Sequence, residues 1–293
     1  MKVEAECAAC IISRGAAEVK EATSNPALRF RAMSELLRLM HKEFRPASVP
    51  ADIGTKRDRI IRRVTGNDDP YRRKKKTSNE KALTLLAYAR KFVEEGYAQQ
   101  DRFKRACLCA IVGNVMEFDI PGHKFAFGNL RKNLRDSGKE LVVDDTNAIY
   151  ELARKAHNIL YLADNAGEIV FDTLLVELLK DLGPTVTVAV KSSAVINDAT
   201  FEDAEASGMA NVADNVITTG TDAVGFAANE VSPEFLEVYN SVDLVFAKGM
   251  GYAETLTEYK LKKPHALLFR TKCDPVANYF GVPKERNIAK LMC

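Results

Sequence analysis

From Asn158 onward, short apolar runs alternate with segments of helical period, and few folds accept that rhythm. The runs cover residues 159–163, 186–190, 216–218, 244–247 and 266–269; helices fit between them, as at 169–182, 232–239 and 252–259. Strands that alternate with helices imply parallel βαβ units and a sheet covered on both faces. The expected fold is α/β: a Rossmann-like, mostly parallel sheet in a three-layer α/β/α sandwich.

The first half reads as helices. Residues 7–23 are Ala-rich and lack a strong breaker. Pro26 suits the first turn of a second helix, and Leu28, Met33, Leu36, Leu37, Met40 and Phe44 recur along it at three-and-four spacing. A basic helix is expected over 52–64, followed by a punctuated loop and the like-charged run Arg72, Arg73, Lys74, Lys75 and Lys76. Such a run is either a solvated helix face or an anion site. Ser78-Asn79-Glu80 reads as the start of the next helix and Gly96 as its end. Asp101 then caps a helix that reaches Val112, and further helices are expected near 125–134 and 146–156. We therefore expect an N-terminal all-helical domain, residues 1–155, packed against a Rossmann-like domain, residues 156–293.

Composition narrows the function classes. The 293 residues are 46% hydrophobic, enough for a substantial core, and carry 42 basic against 40 acidic side chains. That balance offers no global reason to bind nucleic acid or an anionic membrane. No apolar run reaches the length of a membrane span and no signal peptide opens the chain, so the expectation is a cytoplasmic protein of undetermined oligomeric state. Its six cysteines are then reduced or metal-bound, not a disulfide framework.

The unusual polar residues fall at the strand ends. Asp164, Asn165 and Glu168 follow the first strand. Lys191, Asn197 and Asp198 follow the second, Thr219 to Asp222 the third, Lys248-Gly249-Met250-Gly251 the fourth, and Arg270-Thr271-Lys272 the fifth. In a parallel sheet these loops share one rim, where ligands bind. A divalent metal on Asp164, Asn165 and Asp198, with Lys248 or Lys272 on remaining charge, suits phosphoryl transfer. Gly249 and Gly251 would let backbone N–H groups approach an anion. The competing account of Asp164-Asn165 is an Asx turn that caps the next helix.

These blocks resemble the signature of the damage-control phosphatase family, in the expected order along nearly the whole chain. Gly113-Asn114 followed by Asp119, and the Asp69-Pro70-Tyr71 turn, match further blocks, and Cys7-Ala8-Ala9-Cys10 is similar to the CxxC block of its prokaryotic branch. The resemblance implies a metal-dependent phosphatase for small phosphorylated metabolites, such as sugar phosphates or damaged nucleotide and cofactor precursors. It implies Asp164, Asn165 and Asp198 as metal ligands, with Mn²⁺, Ni²⁺, Co²⁺ or Mg²⁺ as the ion. It places Lys272 on the substrate phosphate, Asn114 near substrate, and Glu168 as a supporting or base residue; Arg270, Lys248, Gly249 and Gly251 belong to the substrate-binding blocks. Another branch of the family carries Glu where Lys248 stands, so the role of that position stays open. Water is the favoured nucleophile over Asp164, since a ligating carboxylate is not free to attack.

Cys7 and Cys10 have the spacing of a dithiol or half a zinc site, which Cys107 and Cys109 could complete. His41, His123, His157 and His265 lack ligand spacing and are expected to be structural. Two other functions fit parts of the sequence. One is an S-adenosylmethionine-dependent carboxyl methyltransferase on the Rossmann-like sheet. The other is a zinc-stabilised binding module on the helical half.

Overall fold

The computed structural model describes residues 1–113 and 130–293. Asn114, Asp119 and His123, and most of the helix expected near 125–134, lie outside the described residues.

Five helices come first: α1 (Glu6–Ala22), α2 (Pro26–Glu43), α3 (Pro50–Thr65), α4 (Arg72–Glu94) and α5 (Gln99–Gly113). Asn25 starts α2 because its side-chain oxygen accepts from the N–H of Ala27 at 2.9 Å, with Pro26 fixing the first turn. Gly66 stops α3 in the left-handed conformation, φ +68°. The first three helices bury a small core of their own around Leu36, Ile53 and Ile61.

The remainder is α6 (Leu130–Ser137), β1 (Leu141–Asp144), α7 (Thr146–Ala153), β2 (Asn158–Leu162), α8 (Glu168–Asp181), β3 (Thr185–Val190), α9 (Phe201–Ala206) and α10 (Met209–Val212), then β4 (Asn215–Thr218), α11 (Pro233–Ser241), β5 (Leu244–Lys248), α12 (Gly249–Leu256), β6 (His265–Arg270), α13 (Asp274–Phe280) and β7 (Asn287–Met292). The seven strands among the described residues join one sheet in the order β1-β7-β6-β5-β2-β3-β4. Strands β2 to β6 are mutually parallel; β7 runs antiparallel to β6 and pairs in parallel with β1.

Side chains alternate across this sheet, as the two-residue period of a strand demands. Ile159, Tyr161, Val188, Phe246 and Leu268 face α4, α5, α7 and α8. Leu160, Leu162, Val245, Ala247, Leu267 and Phe269 face the α11–α13 side. This is the expected α/β/α sandwich, with two corrections. The segment expected to be all-helical contributes β1, and α4, α5 and α7 cover a sheet face, so one core runs across residue 155. The helix containing Ser78-Asn79-Glu80 begins six residues earlier, at Arg72, so those residues sit inside α4.

Candidate active site

The strand order reverses between β2 and β5. The chain proceeds from β2 through β3 to β4 on one side and from β5 to β6 on the other, which opens a crevice beyond the carboxyl ends of the two central strands. Asp164 follows β2 and Gly249 follows β5, and they meet there. Gly249 has φ +81°, and a Cβ built on it would lie 1.8 Å from Asp164 Oδ2. Only glycine lets that backbone come so near the carboxylate.

The loop after β3 brings the third residue. Asn165 and Asp198 pair as an isolated antiparallel bridge, and the Ala199 N–H donates to the Asp164 carbonyl at 2.7 Å. Asn165 Nδ2 donates to Asp164 Oδ2 at 2.8 Å and to Glu168 Oε2 at 3.2 Å. The expected trio therefore converges. The N-cap of α8 is Gly167, not Asp164 or Asn165, and it has no side chain with which to cap that helix.

Electrostatics mark the cluster as short of positive charge. Asn165 and Asp198 are buried, while Asp164 keeps part of its surface open. Loss of hydration, then the charges of Glu168 and Asp198, push the Asp164 carboxyl well above its ordinary range; Lys272 and Lys248 oppose this. Crowded carboxylates that resist ionisation together suit a cation, and two carboxylates beside an amide form a hard oxygen set. Among the described residues no group of three or more His, Cys, Asp and Glu is arranged to hold a metal. The trio here has two carboxylates, with Asn165 as its third member.

Lys248 differs from its expected role on substrate. It is fully buried and donates to the Ala110 carbonyl at 2.9 Å, to Asp172 Oδ1 at 2.9 Å and to Glu168 Oε1. Asp172 also accepts from the Tyr161 hydroxyl at 2.7 Å. Burial raises the Asp172 carboxyl to about 6 although Lys248 holds it down. Lys248 thus pairs with two buried acids behind Asp164. Glu168 is just as enclosed and backs Asn165. The Arg270 guanidinium bonds Glu140 at 2.6 Å and Asn287 at 2.9 Å, tying β6 to the β1–β7 edge. Lys272 stays partly exposed beside Asp164.

Several contributors went unassigned in the sequence. Lys191, buried at the end of β3, donates to the carbonyls of Ala223 and Gly225, lies 3.8 Å from Asp198 Oδ2, and sits over the Tyr252 ring. Its strand-end position was the available signal. Lys75 is neither solvated nor an open anion site: it is buried against Asp69 at 3.1 Å and Asp203 at 3.3 Å. His265 bonds Tyr239, as a structural histidine does.

Cys107 and Cys109 do not join Cys7 and Cys10 in a four-thiolate site. Cys107 and Cys109 lie on α5 and face the core under the sheet's helical cover, whereas Cys7 packs among α1, α2 and α3. Burial raises the Cys107 and Cys109 thiols far above their usual range. Cys7 and Cys10 instead neighbour Cys273, whose thiol burial pushes up to about 11.

The architecture is that of an α/β protein whose mostly parallel sheet carries an acid–amide–acid cluster at its switch point with a lysine beside it, and comparison with known proteins fixes the family. The profile of the damage-control phosphatase ARMT1-like domain matches residues 3–288. The chain belongs to that family. It is 34% identical over 293 residues to a protein named damage-control phosphatase from Archaeoglobus fulgidus, covering all of both chains. A damage-control phosphatase from Pyrococcus horikoshii is 34% identical, with 97% of this chain and 96% of that one covered. The crystal structure of a DUF89 family protein from Pyrococcus horikoshii superimposes with a TM-score of 0.87 at 34% identity, covering 99% of this chain and 98% of the other. Among the described residues no helix is long and apolar enough to cross a membrane.

Proposed function

We propose that this chain is a divalent-metal-dependent phosphomonoesterase of the cytoplasm that acts on small phosphorylated metabolites and serves metabolite damage control. The observation that carries the reading is the meeting of Asp164, Asn165 and Asp198 at the switch point, with Lys272 alongside. Those three residues would hold Mn²⁺, Ni²⁺, Co²⁺ or Mg²⁺. When bound, such an ion neutralises phosphoryl charge and makes water a better nucleophile.

The protein's own groups do the remainder. Lys272 balances phosphate charge from the open side of Asp164. The backbone at Gly249, where α12 begins, lies against the same carboxylate, and Gly249 and Gly251 would offer N–H groups to an anion. Glu168 acts through Asn165, and Lys248 ties Glu168 and Asp172 together in the core behind them.

The test is turnover of p-nitrophenyl phosphate, then of a panel of phosphorylated metabolites, by chelator-treated protein given each of the four metals in turn. Metal-restored turnover that Asp164→Ala and Asp198→Ala abolish supports the reading. Wild-type turnover in either variant, or none with any metal, overturns it.

A further inference from the structure

The trio rests on two loops, 164–168 and 197–200, and one side chain from the helical half bonds the first directly and the second through Asp203. Asn79 lies on α4 one turn after Lys75, and both are buried. Asn79 Oδ1 accepts from the Gly167 N–H at 2.6 Å, two residues beyond Asn165. Asn79 Nδ2 donates to Asp203 Oδ1 at 2.9 Å. Asp203 Oδ2 in turn accepts from the Thr200 N–H at 2.9 Å and the Thr200 hydroxyl at 2.8 Å, two residues beyond Asp198.

The orientation of this amide is forced. A backbone N–H only donates and a carboxylate only accepts, so Asn79 must turn its oxygen to Gly167 and its nitrogen to Asp203. The fit is tight as well. Gly167 has φ +80°, and a Cβ there would lie 2.9 Å from Ser78 Cβ. Lys75 holds Asp203 from its other side. A serine and an asparagine inside a long helix are poor choices for helix stability, which fits a role outside it.

We infer that Asn79 is a positioning residue that sets the spacing between Asn165 and Asp198, so that the helical half fixes cation affinity without touching the ion. The inference rests on the metal-dependent reading above. Loss of groups that orient ligands typically costs about 10- to 100-fold in metal affinity or activity.

The experiment is direct titration of chelator-treated protein with Mn²⁺, counting free ion by electron paramagnetic resonance. Thermal melting in chelator and the Mn²⁺ dependence of turnover are followed in parallel. Asn79→Ala is expected to weaken Mn²⁺ binding about 10- to 100-fold, with turnover recovering toward wild type at high Mn²⁺. Asn79→Asp sets two carboxylates against each other and should weaken binding too. Combining it with Asp203→Asn restores one donor and one acceptor and should recover most of the affinity. This reciprocal pair carries the test if Asn79→Ala does not fold. Wild-type affinity in Asn79→Ala or Asn79→Asp, or no recovery in the pair, overturns the inference alone. Failure of the wild-type protein itself to bind Mn²⁺ overturns the metal-dependent reading and this inference with it.

Discussion

Asp58 Oδ1 accepts a hydrogen bond from the backbone N–H of Ile196 at 3.0 Å. Ile196 has φ +47°, a region a β-branched residue rarely enters, and it precedes Asn197-Asp198 directly. A fully buried acid on α3 thus holds a strained turn next to the acid–amide–acid cluster. Asp58→Ala leaves that N–H without its acceptor, and the expected cost is about 1–3 kcal/mol in urea unfolding. Asp58→Asn keeps an acceptor and should lose less. Hydrogen exchange at Ile196 should quicken in the alanine variant and stay slow in the asparagine one.

Glu18, the buried neighbour of Asp58, carries a pH dependence. Glu18 Oε2 is bonded by Arg57 at 3.0 Å, while its buried Oε1 faces Asp58 and has no hydrogen-bond partner as a carboxylate. Burial first, with Asp58 adding and Arg57 opposing, raises the Glu18 carboxyl to about 8 from 4.5. The folded state therefore keeps this proton where the unfolded state has lost it. Stability from the group is present at low pH and falls as pH rises from 4.5 to 8, by at most about 1.4 kcal/mol per pH unit. Glu18→Gln supplies the donor permanently. Its melting temperature should fall less over that window than the wild-type one; parallel profiles would contradict the assignment.

Gly249 tolerates no side chain. Alanine there places a methyl carbon 1.8 Å from Asp164 Oδ2 and imposes a positive φ on an L-residue. One of the two must move, and misplacement on that scale costs about 10²-fold in rate. Gly249→Ala should lose p-nitrophenyl phosphate kcat/KM to about that extent while far-ultraviolet circular dichroism stays that of wild type. Unchanged kinetics would show that Asp164 need not sit where it does.

Lys248→Met strands Glu168 and Asp172 in the core without their cation. Breaking a buried pair in this way costs about 3–5 kcal/mol. Chemical denaturation should show that loss, and Glu168→Gln with Asp172→Asn in the same chain should recover part of it. A variant as stable as wild type would mean the network is not held by charge.

Much of the site was legible because strand periodicity places its residues on one rim. Asp164, Asn165 and Asp198 each follow an apolar run, and a parallel sheet brings such positions together whatever their separation in sequence. The parts that escaped notice depend on long-range contact. β7 carries Lys290 between apolar neighbours, and β1 is four residues long, so neither stands out until β6 supplies a partner for β7 and β7 one for β1. Asn79 and Ser78 imitate a helix start, and only packing against Gly167 reveals their place inside α4. Lys75 looks like a member of a solvated run because its counter-charge, Asp203, lies 128 residues away. The direction of Lys248 was equally hidden, since burial behind Asp164 depends on α5 and α8 closing over it.

The apolar layer joining Phe103, Ile111 and Tyr150 to Tyr161, Phe171 and Phe246 leaves the molecule without a seam at residue 155. Cutting there would strip the lid from half the sheet and remove the strand that guards its edge. Residues 156–293 expressed alone would expose that layer to water, so this half of the chain depends on the helices that roof it.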